Sequence, residues 1–320
     1  MTEAKKIKKR KIITLFVLFA LIILLLIFSR QTTHGIYIAL QLCATTIIPS
    51  LFPFMVASDL LMACQITDIP LPHFLERVTQ KWLHVPASAI YLFLLGAVCG
   101  FPIGIKSAAD LYNSNKLTLS ETEKVICFCN NTGPAFVIAG VGGSLLGSVR
   151  LGVLLYAVQI ISAIICGFCF AHSSPKRNPP SSFTQSPQRQ QSVNFVDAVR
   201  NSTINILVVC GFVLLFSSLM EIIAFFCKNP ILLGFISSFL EIGSASSMAA
   251  SLFSQYPLTA ILTASIAINF GGLSVHMQSA YFLSGIAVSF LKYLFAKLLQ
   301  AVFSVIILFS LSPFLFFVFS

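Results

Sequence analysis

The segment CGFPIGIKSAADLYNSNKLTLSETEKVICFCNNTGPAFVIAG, Cys99–Gly140, decides how the rest of the chain is read. It sets Lys106, Asp110, Asn130, Asn131 and Thr132, together with Pro102, Pro134 and several glycines, among apolar runs. The surroundings are hydrocarbon in character: 57% of the 320 residues are hydrophobic, 9% are charged, and Phe occurs 31 times. That composition is the mark of a polytopic membrane protein. In such a chain, helix breakers and polar side chains are tolerated only where the freed backbone is buried in protein or lines a wet cavity.

Working outward, apolar spans fit at 12–29, 35–64, 125–147, 151–171, 203–227, 257–281 and 285–319, the last long enough to cross once or twice. The first follows KKIKKRK but lacks a small-residue cleavage site, so it reads as an uncleaved span. PSLFPF, Pro49–Phe54, is expected to interrupt the second span, because each proline removes a helical N–H donor. PLPHFLERVTQKWLHVP (70–86) reads as an interfacial amphipathic piece. HSSPKRNPPSSFTQSPQRQQSVN reads as a flexible solvent loop. The resulting organisation is 1–86 for the N-terminal spans and interfacial helix, 87–171 for a first hairpin unit, 172–202 for the loop, and 203–320 for a second unit.

Basic residues orient this arrangement. With the N-terminus cytoplasmic, 16 of the 20 Lys and Arg fall inside, Lys292 and Lys297 among them; Arg30, Arg150 and Lys228 fall outside, and Lys106 is unassigned. The bias satisfies the positive-inside rule. It requires 87–112 and 231–254 to enter and leave on one side, as re-entrant hairpins or broken helices.

A repeat supports the same conclusion. Shifted by 139 positions, LLGAVCGFPIG (Leu94–Gly104) lies over LGFISSFLEIG (Leu233–Gly243), and NNTGPAF (Asn130–Phe136) lies over NFGGLSV (Asn269–Val275). Gly104 pairs with Gly243, Asn130 with Asn269, and Gly133 with Gly272. Three spans separate the two hairpins, so the second copy is expected to be inverted. The fold class is therefore all-α, a polytopic membrane protein with two inverted repeats, each a re-entrant hairpin plus an interrupted transmembrane helix. Such folds place helix ends and free backbone near the midplane, where solutes bind.

The candidate substrate-binding residues follow from the repeat: Gly104, Lys106, Asn130, Asn131 and Thr132 in the first copy, and Gly243, Ser244, Ser246, Asn269 and Ser274 in the second. Glu241, an ionisable group without a cation in its own hairpin, is the candidate coupling site. Blander roles stand beside these. Lys106 and Asp110, four apart, can neutralise each other; the asparagines can cap or bridge the breaks, and His276 and Gln278 can join helices. Asp59 and Glu221, near span ends, are expected at the interface.

The nine cysteines lie almost wholly in apolar runs and read as packing residues; CGFCFAH (Cys166, Cys169, His172) has ligand-like spacing but no second pair. GVGGSLLG (Gly140–Gly147) is Gly-rich inside a span, which suits close helix packing rather than phosphate binding. No phosphate loop, zinc-ligand pairs or nucleophile elbow occurs, so neither an enzyme nor a cofactor is expected. The net charge of +10 reports topology and anionic lipid, not nucleic acid.

PSLFPF, the run GFPIGIKSAADLYNSNKLTLSETEKVICFCNNTGP and above all FCNNTGP resemble the YlbJ (SpoVV) sporulation integral membrane proteins, which carry the nucleoside-recognition Gate domain. The likeness covers roughly residues 35–300. It implies a carrier that moves dipicolinic acid, alone or with calcium, from the mother cell across the outer forespore membrane. It also implies a distant similarity to concentrative nucleoside transporters, with their two hairpins and two broken helices. A nucleoside or other small-solute carrier, and a non-transporting assembly factor of spore maturation, are the alternatives. A homo-oligomer is compatible with all three.

Overall fold

The computed structural model describes residues 3–171 and 194–319, and every element among them is helical. Among the described residues, five helices are long and apolar enough to cross a membrane. His172 and the Pro/Ser/Gln stretch up to residue 193 lie outside the described residues.

Helix α1 (Glu3–Ile27) runs into α2 (Ser29–Leu42) with only Phe28 between them, so the loop expected at 30–34 is helical. A π-helical turn at Cys43–Ile47 then joins α2 to α3 (Ile48–Ala63), and Ser29–Ala63 forms one 35-residue apolar unit. The expected interruption at PSLFPF is thus only a widened turn, with Pro49 in the first turn of α3 and Pro53 inside it. A π turn relaxes the ladder where a proline supplies no N–H and its ring would crowd the preceding turn. The amphipathic piece forms α4 (His73–Val78) and a second π turn (Thr79–Leu83), bent by 93° from α5.

Helices α5 (Ser88–Cys99) and α6 (Ile103–Asn113) make the first hairpin, turning at Gly100–Phe101–Pro102. At 12 and 11 residues, each rises only about 17 Å, far short of the roughly 30 Å hydrocarbon thickness. Thr118 starts α7 (Leu119–Cys129) with a capping box: its hydroxyl accepts from Glu121 N–H at 3.2 Å, and Glu121 Oε2 accepts from Thr118 N–H at 2.9 Å. The helix stops at Asn130–Asn131–Thr132–Gly133 and resumes as a π-helical segment, Ala135–Leu145. Span 125–147 is therefore broken where NNTGP stands. Gly142 of that segment lies against Gly152 of α8 (Val149–Ala171), so the Gly-rich run permits close packing.

The second half begins with α9 (Phe195–Phe226), capped by Asn194 and starting eight residues before the expected 203. Helices α10 (Pro230–Leu240) and α11 (Ile242–Phe253) form the second hairpin, turning at Glu241. Helix α12 (Pro257–Phe270) breaks at Gly271–Gly272 before α13 (Gly272–Phe282), and α14 (Phe290–Phe319) is a single helix with Pro313 inside it. The order hairpin, broken helix, long helix thus occurs twice, over 88–171 and over 230–319.

Packing locks each hairpin to its own broken helix. Gly96 and Gly104 sit so close to the Cys129 carbonyl at the end of α7 that a β-carbon at either would overlap it. Gly104, a candidate binding residue from the repeat, is accordingly a packing glycine within α6. At the tip itself, a β-carbon on Gly100 would come within 2.8 Å of Gly133 N. In the second half, Gly272 has φ +71°, and a β-carbon there would meet Leu240 O at 2.9 Å and Glu241 N at 3.0 Å. Only glycine meets both demands.

Candidate functional site

The two hairpin turns and the two helix breaks meet. Phe101 of the first turn lies against Gly271 of the second break, and Thr132 Oγ1 of the first break donates to Ile268 O of α12 at 2.9 Å. Between them is a cavity of about 60 Å³. Phe101, Thr132 and Gly133 line it from the first half, Glu241, Gly243, Ser274 and Gln278 from the second. Leu42, Ile47, Ser50 and Leu51 close one side, so the π turn and first turn of α3 do face the cavity.

Of the residues expected to bind substrate, Thr132, Gly243 and Ser274 reach this cavity, as does the coupling candidate Glu241. Glu241 is fully buried; its Oε2 caps α11 by accepting from Ser244 N–H at 2.5 Å, and its Oε1 has no hydrogen-bond partner. Ser274 Oγ is likewise buried and unpartnered. Buried polar atoms are almost always paired in folded proteins, so Glu241 and Ser274, both lining this cavity, each carry an atom that has capacity for a further hydrogen bond. Ser244 contributes its backbone to the Glu241 cap, while Ser246 Oγ donates back to Ile242 O at 2.8 Å.

Asn130, Asn131 and Asn269 are fully buried one layer behind the cavity, in a network that joins the two breaks to α14. Asn130 Nδ2 donates to Tyr293 OH at 2.9 Å and Ser279 Oγ at 3.2 Å. Gln300 Nε2 donates to Asn131 Oδ1 at 3.0 Å and Asn269 Oδ1 at 3.2 Å, so one side chain bridges an asparagine from each copy. Gln159 of α8 adds a bond to Thr132 O at 2.9 Å. His276 serves as a joint between helices: Nδ1 lies 3.4 Å from Tyr293 OH, and the ring packs edge-on against Phe270.

Lys297 is at the centre of this network and fully buried. Its Nζ donates to Asn130 O and to Gln300 Oε1, each at 2.6 Å, and stands 5.5 Å from the centre of the Phe101 ring. The charge tally counted this lysine on the cytoplasmic side. It belongs instead to a polar stripe on α14, Tyr293, Lys297, Gln300 and Ser304, all buried. The spacing of four, three and four residues puts them on one face, and that spacing was readable in the sequence.

Lys106 has a different position. It lies away from the cavity lining, with Asp59 Oδ1 of α3 at 2.5 Å and Asp110 Oδ2 at 3.2 Å. Asp59, expected at the interface, is 8% exposed, and its Oδ2 also lies 3.4 Å from Ser202 Oγ of α9. The expected neutralisation of Lys106 by Asp110 is present, and the nearer partner is Asp59. Glu221 accepts from His34 at 3.1 Å at a partly exposed position.

Among the described residues, no three His, Cys, Asp or Glu side chains gather as a metal site. Cys166 instead packs with its Sγ 3.2 Å from Ala296 O.

No family model matches the chain, and no solved structure matches it. Among curated proteins, it is similar to the sporulation integral membrane protein YlbJ of Bacillus subtilis (strain 168): 25% identical over 296 residues, covering 81% of this chain and 72% of that protein. The likeness extends over about four fifths of the chain and supports membership in the family of this sporulation integral membrane protein.

Proposed function

We propose that this protein is a sporulation-associated secondary carrier for a small planar dicarboxylate, dipicolinate, delivered across the outer forespore membrane from the mother cell. The observation that carries the reading is the convergence of two hairpin turns and two helix breaks on one cavity holding the unpartnered Glu241 Oε1 and Ser274 Oγ. Paired breaks that bring helix ends and polar groups to the middle of a bundle suit solute binding in transporters. Three crossings, the broken helix α7 with its π-helical continuation, α8 and α9, separate the hairpins; the second repeat is then inverted relative to the first.

The cavity is about 60 Å³, whereas small-molecule sites occupy roughly 300–1,000 Å³. The substrate therefore enters only when the wall formed by the Ser29–Ala63 unit and α9 separates from the hairpin turns. That separation is the alternating step of the carrier. Glu241 supplies the coupling: a carboxylate facing an incoming dianion at low dielectric repels it strongly, so a proton or cation must neutralise Glu241 as substrate binds.

The test is uptake into proteoliposomes containing only this protein, with labelled dipicolinate and labelled uridine in parallel. Dipicolinate accumulation without uridine uptake is the expected result. Uridine uptake alone would make the protein a nucleoside carrier, and movement of neither solute would favour an assembly role.

A further inference from the structure

We infer that Lys297, covered by the Phe101 ring, is the cation that receives a carboxylate of the substrate; the inference rests on the carrier reading above and names the charge that reading lacks. Lysine is the most costly of the residues on the α14 stripe to bury, since removing an ammonium from water costs several kcal/mol even after relaxation. Charged groups buried in proteins are therefore paired with opposite charge. Lys297 is fully buried, yet among the described residues no carboxylate stands within ion-pairing distance of it. Its two hydrogen bonds go to neutral oxygens, Asn130 O and Gln300 Oε1.

An ammonium has three donors, and the remaining side of Lys297 faces the Phe101 ring. A ring face attracts a cation, but more weakly than a carboxylate does. Phe101 is also a wall of the cavity, so its ring separates the ammonium from the space where a solute would lie. If the first hairpin turn shifts, a carboxylate can take the position of the ring against Nζ. The same motion would disturb the Phe101–Gly271 contact, linking anion arrival to the second helix break.

A purely structural role makes a contrasting demand. If Lys297 only ties α14 to Asn130 O, a neutral amide of similar reach replaces it; if it recognises an anion, the amide does not. Lys106, the sequence candidate for this role, already has two aspartates and lies outside the cavity lining.

The experiment is equilibrium binding to purified protein in detergent, using dipicolinate and its uncharged isostere pyridine-2,6-dicarboxamide, with wild type, Lys297→Gln and Lys297→Met. Charge-assisted hydrogen bonds imply that wild type prefers the dianion by about 10- to 100-fold, and that both variants bring the two ligands within about 3-fold of each other. Retained diamide binding certifies a folded site, and the glutamine variant keeps a donor for Asn130 O should methionine unfold the protein. A variant that keeps the full preference for dipicolinate overturns the role of Lys297 and leaves the carrier reading standing. Wild type that binds uridine and neither pyridine ligand overturns both.

Discussion

The Lys106 cluster yields the most discriminating stability experiment, because its two aspartates differ in burial. Side-chain exposure is 7% for Asp59 and 48% for Asp110, with Lys106 between them at 17%. Asp59→Asn removes the buried partner and leaves a largely buried ammonium with only the half-exposed Asp110, a change that costs up to about 3–5 kcal/mol. Asp110→Asn removes a half-exposed partner and should cost about 0–1 kcal/mol. Lys106→Met strands Asp59 and falls in the heavier class, whereas Lys106→Met combined with Asp59→Asn leaves no buried charge and should recover most of the loss. Against a typical total of about 5–15 kcal/mol, the heavy variants lose a large share of their stability. Unfolding midpoints in detergent rank the four variants, and dipicolinate uptake by the double variant completes the series. Equal, small effects of Asp59→Asn and Asp110→Asn would refute the burial argument. A stable double variant with a markedly raised half-saturation concentration would return Lys106 to the substrate site.

Four further outcomes follow from the same geometry. Glu241→Gln should abolish uphill accumulation of dipicolinate while exchange of solute across the vesicle membrane continues, since the amide cannot bind a coupling proton; unchanged accumulation removes Glu241 from coupling. Asn130→Leu with Asn131→Leu should insert but not transport, and the lost bonds to Tyr293, Ser279 and Gln300 should each cost about 1 kcal/mol in the unfolding midpoint. Gly272→Val, at φ +71° against the Leu240 carbonyl, should cost at least about 1–3 kcal/mol, while Gly211→Ala, with open space around it inside α9, should be neutral or stabilising by up to about 1 kcal/mol. Gln300→Glu gives Lys297 a permanent carboxylate, so dipicolinate affinity should fall about 10-fold or more while diamide binding persists; unchanged dipicolinate affinity would show that the ammonium is not reserved for substrate.

The hairpins and breaks were legible because they rest on local backbone chemistry. Proline and glycine disrupt a helix wherever they stand in a long apolar run, so GFPIG, NNTGP and NFGG marked Gly100–Pro102, Asn130–Gly133 and Gly271–Gly272 without knowledge of their neighbours. PSLFPF misled for the complementary reason: a π turn beginning six residues before Pro49 absorbed a disruption that propensity alone assigns to a break. The partner of Asp59 was not legible, since Lys106 is 47 residues away and only packing of the first hairpin on α3 brings them together.

Lys297 shows where a rule suited to one question hides the answer to another. The positive-inside count treats every lysine near a span end as a solvated charge, and in a tally of sixteen against three a single misplaced residue leaves the orientation unchanged. The count therefore had no power to detect that Lys297 is buried. Helical periodicity had that power: Tyr293, Lys297, Gln300 and Ser304 recur on one face of an otherwise apolar helix, and a polar face in hydrocarbon must find polar partners. Those partners are the asparagines at the two breaks, reached through Gln300 and Asn130 O. The stripe on α14 and the breaks in the two broken helices are thus halves of one device. Each is costly in a membrane alone, and together they place an ammonium without a carboxylate behind the wall of a cavity.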